Sequence, residues 1–233
     1  MNAQPQAQQK VVLITGASGQ LGRAVAHTFQ DQGARLILLD RQAGALPDGE
    51  RVLNVTVDLA DREQVAQRIG EAVARMGGLH TVCHIAGGFR MGEAVHETSA
   101  ATWDFLMDLN ARSLLHVAAA TVPLLLKHGG GQIVTVGAGA AARGGAQMGA
   151  YSAAKSALIR LTESMSAELK DQGIRVNCVL PSIIDTPDNR QSMPDADFGR
   201  WVAPQALAEV IAFLASDAAR AIHGAAIPVS GRV

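Results

Sequence analysis

Short β-rich runs alternate with longer helical patterns from residue 11 onward, and that alternation restricts the fold more than any other feature. Strands are predicted at Val11–Thr15, Arg35–Asp40, Val52–Val57, Leu79–Ile85, Gln132–Val136, Ile174–Leu180 and Ala225–Val229. The first, second and sixth are nearly continuous apolar runs, which suit parallel strands covered on both faces. Helices are predicted at Gln20–Gln32, Asp61–Met76, Ala100–Lys127, Ala150–Lys170 and Gln205–Ser216, with Lys127-His128-Gly129 as a helix stop. Strand–helix alternation builds βαβ units, so the predicted class is α/β, a doubly wound parallel sheet in one domain.

The chain has 233 residues, enough for a single core without staples. Residues 1–9 read as a disordered leader and residues 10–233 as the domain. Hydrophobic residues make up 48% and charged residues 18%, which excludes a disordered chain. The net charge of −1 leaves no electrostatic footprint for nucleic acid or an anionic membrane. Cys83 and Cys178 both fall in predicted strands, as buried free thiols suited to a reducing cytoplasm. The polar N-terminus lacks the apolar region of a signal peptide, and no run of roughly 18 uncharged apolar residues is seen. The expectation is a cytoplasmic protein with no nucleic-acid or membrane partner. Pro187–Trp201 reads as a long irregular stretch; such loops are often lids, and residues 187–203 are the expected substrate loop.

The first strand runs into Gly16-Ala17-Ser18-Gly19-Gln20-Leu21-Gly22 and then a helix. A glycine at the tight turn lets backbone approach a pyrophosphate, and a later one lets helix and strand pack closely. The helix N-terminus supplies free N–H groups and a positive dipole end. Three spaced glycines alone are weak evidence; between a first strand and a first helix they are strong. The second strand ends in Asp40, 18 residues after Gly22. A carboxylate there accepts hydrogen bonds from ribose hydroxyls and repels a 2′-phosphate, favouring NAD(H) over NADP(H). Arg41 is the contrary signal, since it could reach that phosphate. Asp58, after the third strand, is placed to meet the adenine amine.

Tyr151, the single tyrosine, and Lys155 lie four residues apart, on one face of a predicted helix. An ammonium one turn away stabilises tyrosinate and lowers the phenol pKa toward working pH. The same ammonium can hold a ribose. On its own such a pair is usually just helix surface; beside a dinucleotide fingerprint it is a proton donor or acceptor for hydride transfer.

These pieces together resemble the short-chain dehydrogenase/reductase family. The resemblance spans the chain after the leader, through the glycine loop, Asp58-Leu59, Ala86-Gly87-Gly88, Asn110, Tyr151-Ser-Ala-Ala-Lys155 and Pro181 to Thr186. It implies a Rossmann-type seven-stranded sheet in the order 3-2-1-4-5-6-7 and nicotinamide-dependent redox chemistry on a small-molecule substrate. It implies Tyr151 as the proton donor or acceptor, Lys155 as its partner and Asn110 as support for a water relay. Ile184 and Thr186 would meet the nicotinamide amide. A homodimer or homotetramer is also expected by resemblance.

Three departures stand out. The family's usual catalytic serine, thirteen residues before the tyrosine, is Ala138, and no hydroxyl occurs from Val136 to Gly149. The usual glycine at Gln20 stands instead at Gly19, and the usual Asn-Asn-Ala-Gly is His84-Ile-Ala-Gly87. Losing an oxyanion donor costs on the order of 10²–10³ in rate where the donor is used. A substrate that takes hydride into a conjugated ring does not need it. Asp185 to Trp201 resembles the corresponding loop of the dihydropteridine reductase subgroup, which lacks that serine. The main expectation is therefore an NAD(H)-dependent oxidoreductase acting on a small planar or carbonyl substrate, such as a quinonoid dihydropteridine. The rivals are an ordinary carbonyl reductase or alcohol dehydrogenase of the 3-oxoacyl reductase kind, using water or Ser182, and a non-catalytic NAD-binding sensor.

His80, Cys83 and His84 invite a metal reading, but four strand residues span roughly 13 Å, too far for one zinc; no metal is expected. In the loop, Arg190, Asp195 and Asp197 are substrate contacts or solvated surface, and Trp201 is a packing anchor. Leu158, Leu161, Met165 and Leu169 form a core or subunit-interface face.

Overall fold

The computed structural model describes residues 9–42, 44 and 46–233. The expected leader therefore falls almost wholly outside the described residues. Seven strands, β1 (Val11–Thr15), β2 (Arg35–Asp40), β3 (Val52–Thr56), β4 (Thr81–His84), β5 (Gly131–Val136), β6 (Ile174–Pro181) and β7 (Ala226–Val229), form one sheet. Its order is β3-β2-β1-β4-β5-β6-β7, and every pairing is parallel. Helices α1 (Gln20–Asp31), α2 (Arg62–Met76), α3 (Ala100–Met107), α4 (Ser113–Lys127), α5 (Gly149–Leu169), α6 (Pro187–Ser192) and α7 (Pro204–Leu214) cover it.

Alternation along the strands makes the two layers. Val12 and Ile14 of β1, with Leu36 and Leu38 of β2, point to the face covered by α1 and α7. Val11, Leu13, Ile37 and Leu39 point to the face covered by α2 and α4. Both faces are apolar, so the strands read as unbroken hydrophobic runs. Leu158 and Leu169 are buried, and Leu161 and Met165 pack against core clusters, so this face of α5 serves the core.

Two expectations change. The helix predicted over Ala100–Lys127 is interrupted by a π turn at Asp108–Arg112, between α3 and α4. Such single-turn widenings are frequent at functional sites, and no apolar period announces them. The same 28-residue stretch passes by length and mean hydropathy as able to cross a membrane, although charged residues leave it no run of 18 uncharged apolar residues. Here it is a covering helix of the sheet, with Asn110, Ser113 and Thr121 buried alongside Leu114, Val117 and Leu125. Finally, Pro187–Trp201 is not irregular: it holds α6 and a 3₁₀ turn at Phe198–Arg200. Thr186 caps α6 by accepting from the Asn189 N–H, and Pro187 occupies its first turn. Smaller shifts fall at element ends; Asp61, predicted as helical, is instead the cap of α2, accepting from Gln64 N–H at 3.0 Å.

Candidate functional site

The residues singled out from sequence converge at the carboxyl ends of the parallel strands, the edge where open α/β sheets bind ligands. After β1, Gly16 has φ +65°, and a Cβ there would lie 2.9 Å from both the Cα and N of Ala86. A Cβ on Gly22 would lie 2.1 Å from the Gly16 carbonyl oxygen. Backbone thus meets backbone on both sides of the turn, and the N-cap Gly19 has no side chain to cap α1, so the first-turn N–H groups fit a phosphate-bearing ligand. Gln20 and Leu21 open α1; Gln20 is exposed, while the Leu21 side chain is buried in the core.

At the end of β2, Asp40 accepts from the Ser18 N–H at 2.9 Å and from the Gln42 N–H at 3.1 Å. Its carboxylate is thereby fixed beside the glycine turn, and Arg41 is exposed. Asp58 is exposed and caps the next turn, accepting from Ala60 N–H at 3.0 Å. Leu59 is buried, and its carbonyl accepts from His116 Nδ1 at 2.8 Å.

Beyond β4, Gly87 marks the centre of the site. A Cβ there would lie 2.9 Å from Asn110 Oδ1 and 2.9 Å from Lys155 Nζ. Asn110, from the π turn, is fully buried. Its Oδ1 accepts from Gly88 N–H at 3.1 Å, and its Nδ2 donates to the Gly88 and Leu106 carbonyls. Lys155 is 4% exposed and donates to the Val136 carbonyl at 2.8 Å. Tyr151, in the first turn of α5, meets Phe89 edge to face, with ring centroids 4.8 Å apart. A Cβ on Gly88 would run into Leu109 and Phe105.

The electrostatics differ from the sequence expectation. Burial pushes the Tyr151 phenol up to about 12, and burial pushes the Lys155 ammonium down to about 8. Desolvation is the largest cause of both shifts, so the lowered phenol pKa expected from the sequence is not found.

On the other flank, Ala138 is buried and followed by a short 3₁₀ turn. Ser182, considered as a replacement hydroxyl, donates to the Ser230 carbonyl at 2.8 Å. Ser156 likewise donates to the Ala141 carbonyl. Pro181 is buried at the end of β6. Ile184 forms a parallel bridge with Val202, and its carbonyl accepts from Asn189 Nδ2. Thr186 Oγ1 is engaged as the cap of α6.

Arg190 is paired with Asp185 by two hydrogen bonds of 2.6 and 2.8 Å and lies over the Phe198 ring. That pairing holds the Asp185 carboxyl below its ordinary range. Asp197 caps the Phe198–Arg200 turn, Asp195 is exposed, and Trp201 is buried against Phe198. His80 and His84 lie at opposite ends of β4. His80 Nδ1 accepts from Val11 N–H, and both His84 ring nitrogens are hydrogen-bonded, to Thr15 and Ser113. Sequence reasoning missed Thr15, Ser113 and Phe89. A polar residue closing an apolar strand was the available signal for Thr15.

The comparisons agree with this geometry. A family profile described as enoyl-(acyl carrier protein) reductase matches residues 16–231. The chain is 33% identical over 238 residues to cis-4-hydroxycyclohexanecarboxylate dehydrogenase of Sinomonas cyclohexanicum, covering 96% of each chain. It is 34% identical to meso-2,3-butanediol dehydrogenase of Serratia marcescens, covering 95% of this chain and 93% of that one. A 3-ketoacyl-(acyl-carrier-protein) reductase from Brucella melitensis, solved with NADH, superposes with a TM-score of 0.86 at 27% identity, covering 96% and 98%. The protein belongs to the short-chain dehydrogenase/reductase family. It is an NAD(P)-dependent oxidoreductase, of the general carbonyl and alcohol type.

Proposed function

We propose that the protein transfers hydride between NAD(H) and a small planar or carbonyl substrate, with Tyr151 as the proton donor or acceptor. The convergence of Lys155 Nζ and Asn110 Oδ1 at Gly87, one helical turn from Tyr151, carries this reading. The nicotinamide supplies or accepts the hydride when bound. The chain's own residues hold it. The 16–22 turn and the N-terminus of α1 cradle the phosphates, and Asp40 takes the adenosine ribose. Asp58 and Leu59 flank the adenine, Ala86 to Gly88 run alongside the cofactor, and Pro181, Ile184 and Thr186 line the nicotinamide end. Lys155 holds the nicotinamide ribose and favours the tyrosinate, while Asn110 supports a water relay to Lys155.

Asp40 is the ground for preferring NAD(H): a carboxylate fixed beside Ser18 repels a 2′-phosphate, with the exposed Arg41 as the contrary signal. Ala138 supports a second, finer reading. With no hydroxyl from residue 136 to 149 and Ser182 donating to Ser230, no serine stands at the usual position for holding the reacting atom. A quinonoid dihydropteridine, which takes hydride into its ring, suits that site. We also propose that the protein works in the cytoplasm as a homodimer or homotetramer, without nucleic-acid, membrane or metal partners.

The deciding experiment measures NADH oxidation with a quinonoid dihydropterin and with cyclic ketones, for wild type and Tyr151→Phe. Turnover should fall by about 10²–10⁴ in the variant with NADH binding retained. Tyrosine-independent turnover would refute the mechanism. Turnover of ketones alone would refute the pterin reading. Tight NADH binding without turnover of any substrate would favour a sensor.

A further inference from the structure

The hydrogen bonds around His84 run in one direction. Ser113 Oγ donates to the Leu109 carbonyl at 2.7 Å, so its oxygen is left to accept from His84 Nε2 at 3.2 Å. Thr15 Oγ1 accepts from Ala86 N–H at 3.2 Å, which leaves its proton for His84 Nδ1 at 3.1 Å. The chain therefore reads Ala86 N–H to Thr15, Thr15 to His84, His84 to Ser113 and Ser113 to Leu109. A neutral imidazole with its proton on Nε2 supplies the one acceptor and one donor this requires. His84, Thr15 and Ser113 are all buried, so each partner lost leaves a polar group unsatisfied.

The ends of the chain lie in the working parts of the site. Thr15 immediately precedes Gly16 of the glycine turn. Ala86 begins the Ala-Gly-Gly segment that packs on Gly16. Leu109 belongs to the π turn and immediately precedes Asn110. A serine bonding back to the carbonyl four residues earlier tends to bend a helix, and here it does so where the helix widens.

We infer that His84 is a positioning residue: through Ser113 it fixes the π turn that presents Asn110, and through Thr15 it fixes the glycine turn, holding the two in register. His84 is fully buried, and both its ring nitrogens are taken by Thr15 and Ser113, so it acts through them. Burial and the nearby Lys155 charge lower its pKa to about 3, so it acts as a fixed cross-link across the working pH range and not as an acid or base.

The inference rests on the hydride-transfer reading, and the test separates the two. NADH affinity, kcat and KM are measured per NADH-binding site for wild type, Ser113→Ala, Thr15→Val, His84→Leu and His84→Gln. Ser113→Ala should lower kcat about tenfold with NADH affinity unchanged. Thr15→Val should weaken NADH affinity about tenfold with kcat nearly unchanged. His84→Leu should do both, and His84→Gln, which keeps a donor and an acceptor, should recover most of each loss. A purely structural histidine would lower Tm while leaving these constants per site untouched, and that outcome would overturn the inference. If His84→Leu does not fold, the split between Ser113→Ala and Thr15→Val decides alone. If wild type binds NADH but turns over nothing, the functional reading fails. The cross-link is then judged by whether Thr15→Val weakens NADH binding and Ser113→Ala speeds amide exchange at residues 109–114; no change in either overturns it.

Discussion

Around Gly16 backbone packs directly on backbone, whereas around Ala138 the side chains are small and an exposed ion pair braces the segment that follows β6. On the cofactor side, a Cβ at Gly22 would overlap the Gly16 carbonyl, and one at Gly16 would press on the backbone of Ala86. On the proposed substrate side, Ala138, Ala140 and Ala141 carry only methyl groups, and Arg190 joins Asp185 and the Phe198 ring. A dinucleotide is the same molecule in every such enzyme, so its cradle can be built from close-packed main chain. Substrates differ, and a wall of replaceable side chains can follow them.

The contrast breaks most severely at Gly22. Gly22→Ala forces a methyl group into main-chain atoms, with no flexible neighbour to yield. Destabilisation of about 3 kcal/mol or more is expected, with loss of NADH binding. Urea unfolding and calorimetry check this. A variant binding NADH as wild type does would mean the turn is far softer than its packing implies.

Lys155 stands between the two regions and makes their boundary pH-dependent. Its pKa is lowered to about 8 from an ordinary 10.5. Between those values the unfolded chain binds more protons than the folded one, so this group's contribution to stability rises as pH rises through that window. Below about pH 8 the buried charge is a constant cost. Wild type should therefore gain up to about 3 kcal/mol relative to Lys155→Met between pH 8 and 10. Tyr151, pushed up to about 12, contributes in the opposite sense only above its ordinary value of 10. Parallel unfolding midpoints across the window would contradict the assignment.

Ala138→Ser sharpens the comparison from the substrate side. Restoring a hydroxyl should raise the reduction of simple ketones roughly 10- to 100-fold, part of the worth of an oxyanion donor. The rate with a quinonoid dihydropterin and the NADH affinity should stay as they are. No gain with any ketone would place Ala138 away from the reacting oxygen. The smallest effect is expected at Arg190→Ala. Its ion pair with Asp185 is solvent-exposed, so Tm and NADH affinity should match wild type within error while KM for substrate rises. A large fall in Tm would show the ion pair to be part of the core.

Much of this was legible in residue order. Continuous apolar runs gave the parallel strands of the core, because both sheet faces are covered. The position of Gly16 to Gly22 between β1 and α1 gave the cradle, because only glycine lets backbone approach so closely. The π turn was not legible, since Asp108 to Arg112 continues an ordinary helical pattern. Nor was α6, whose helical signal is a single capping threonine and a proline.

Local pattern, then, determined the strand–helix alternation, the glycine turn, Asp40 at the end of β2 and the one-turn spacing of Tyr151 and Lys155. These depend on periodicity and backbone geometry over a few residues. Tertiary structure alone decided that Asn110 and Lys155 meet at Gly87, that His84 spans from Thr15 to Ser113, and that Tyr151 lies above and Lys155 below their ordinary pKa values. Each of these depends on how segments 22 to 71 residues apart stack at one edge of the sheet, and on how completely water is excluded there.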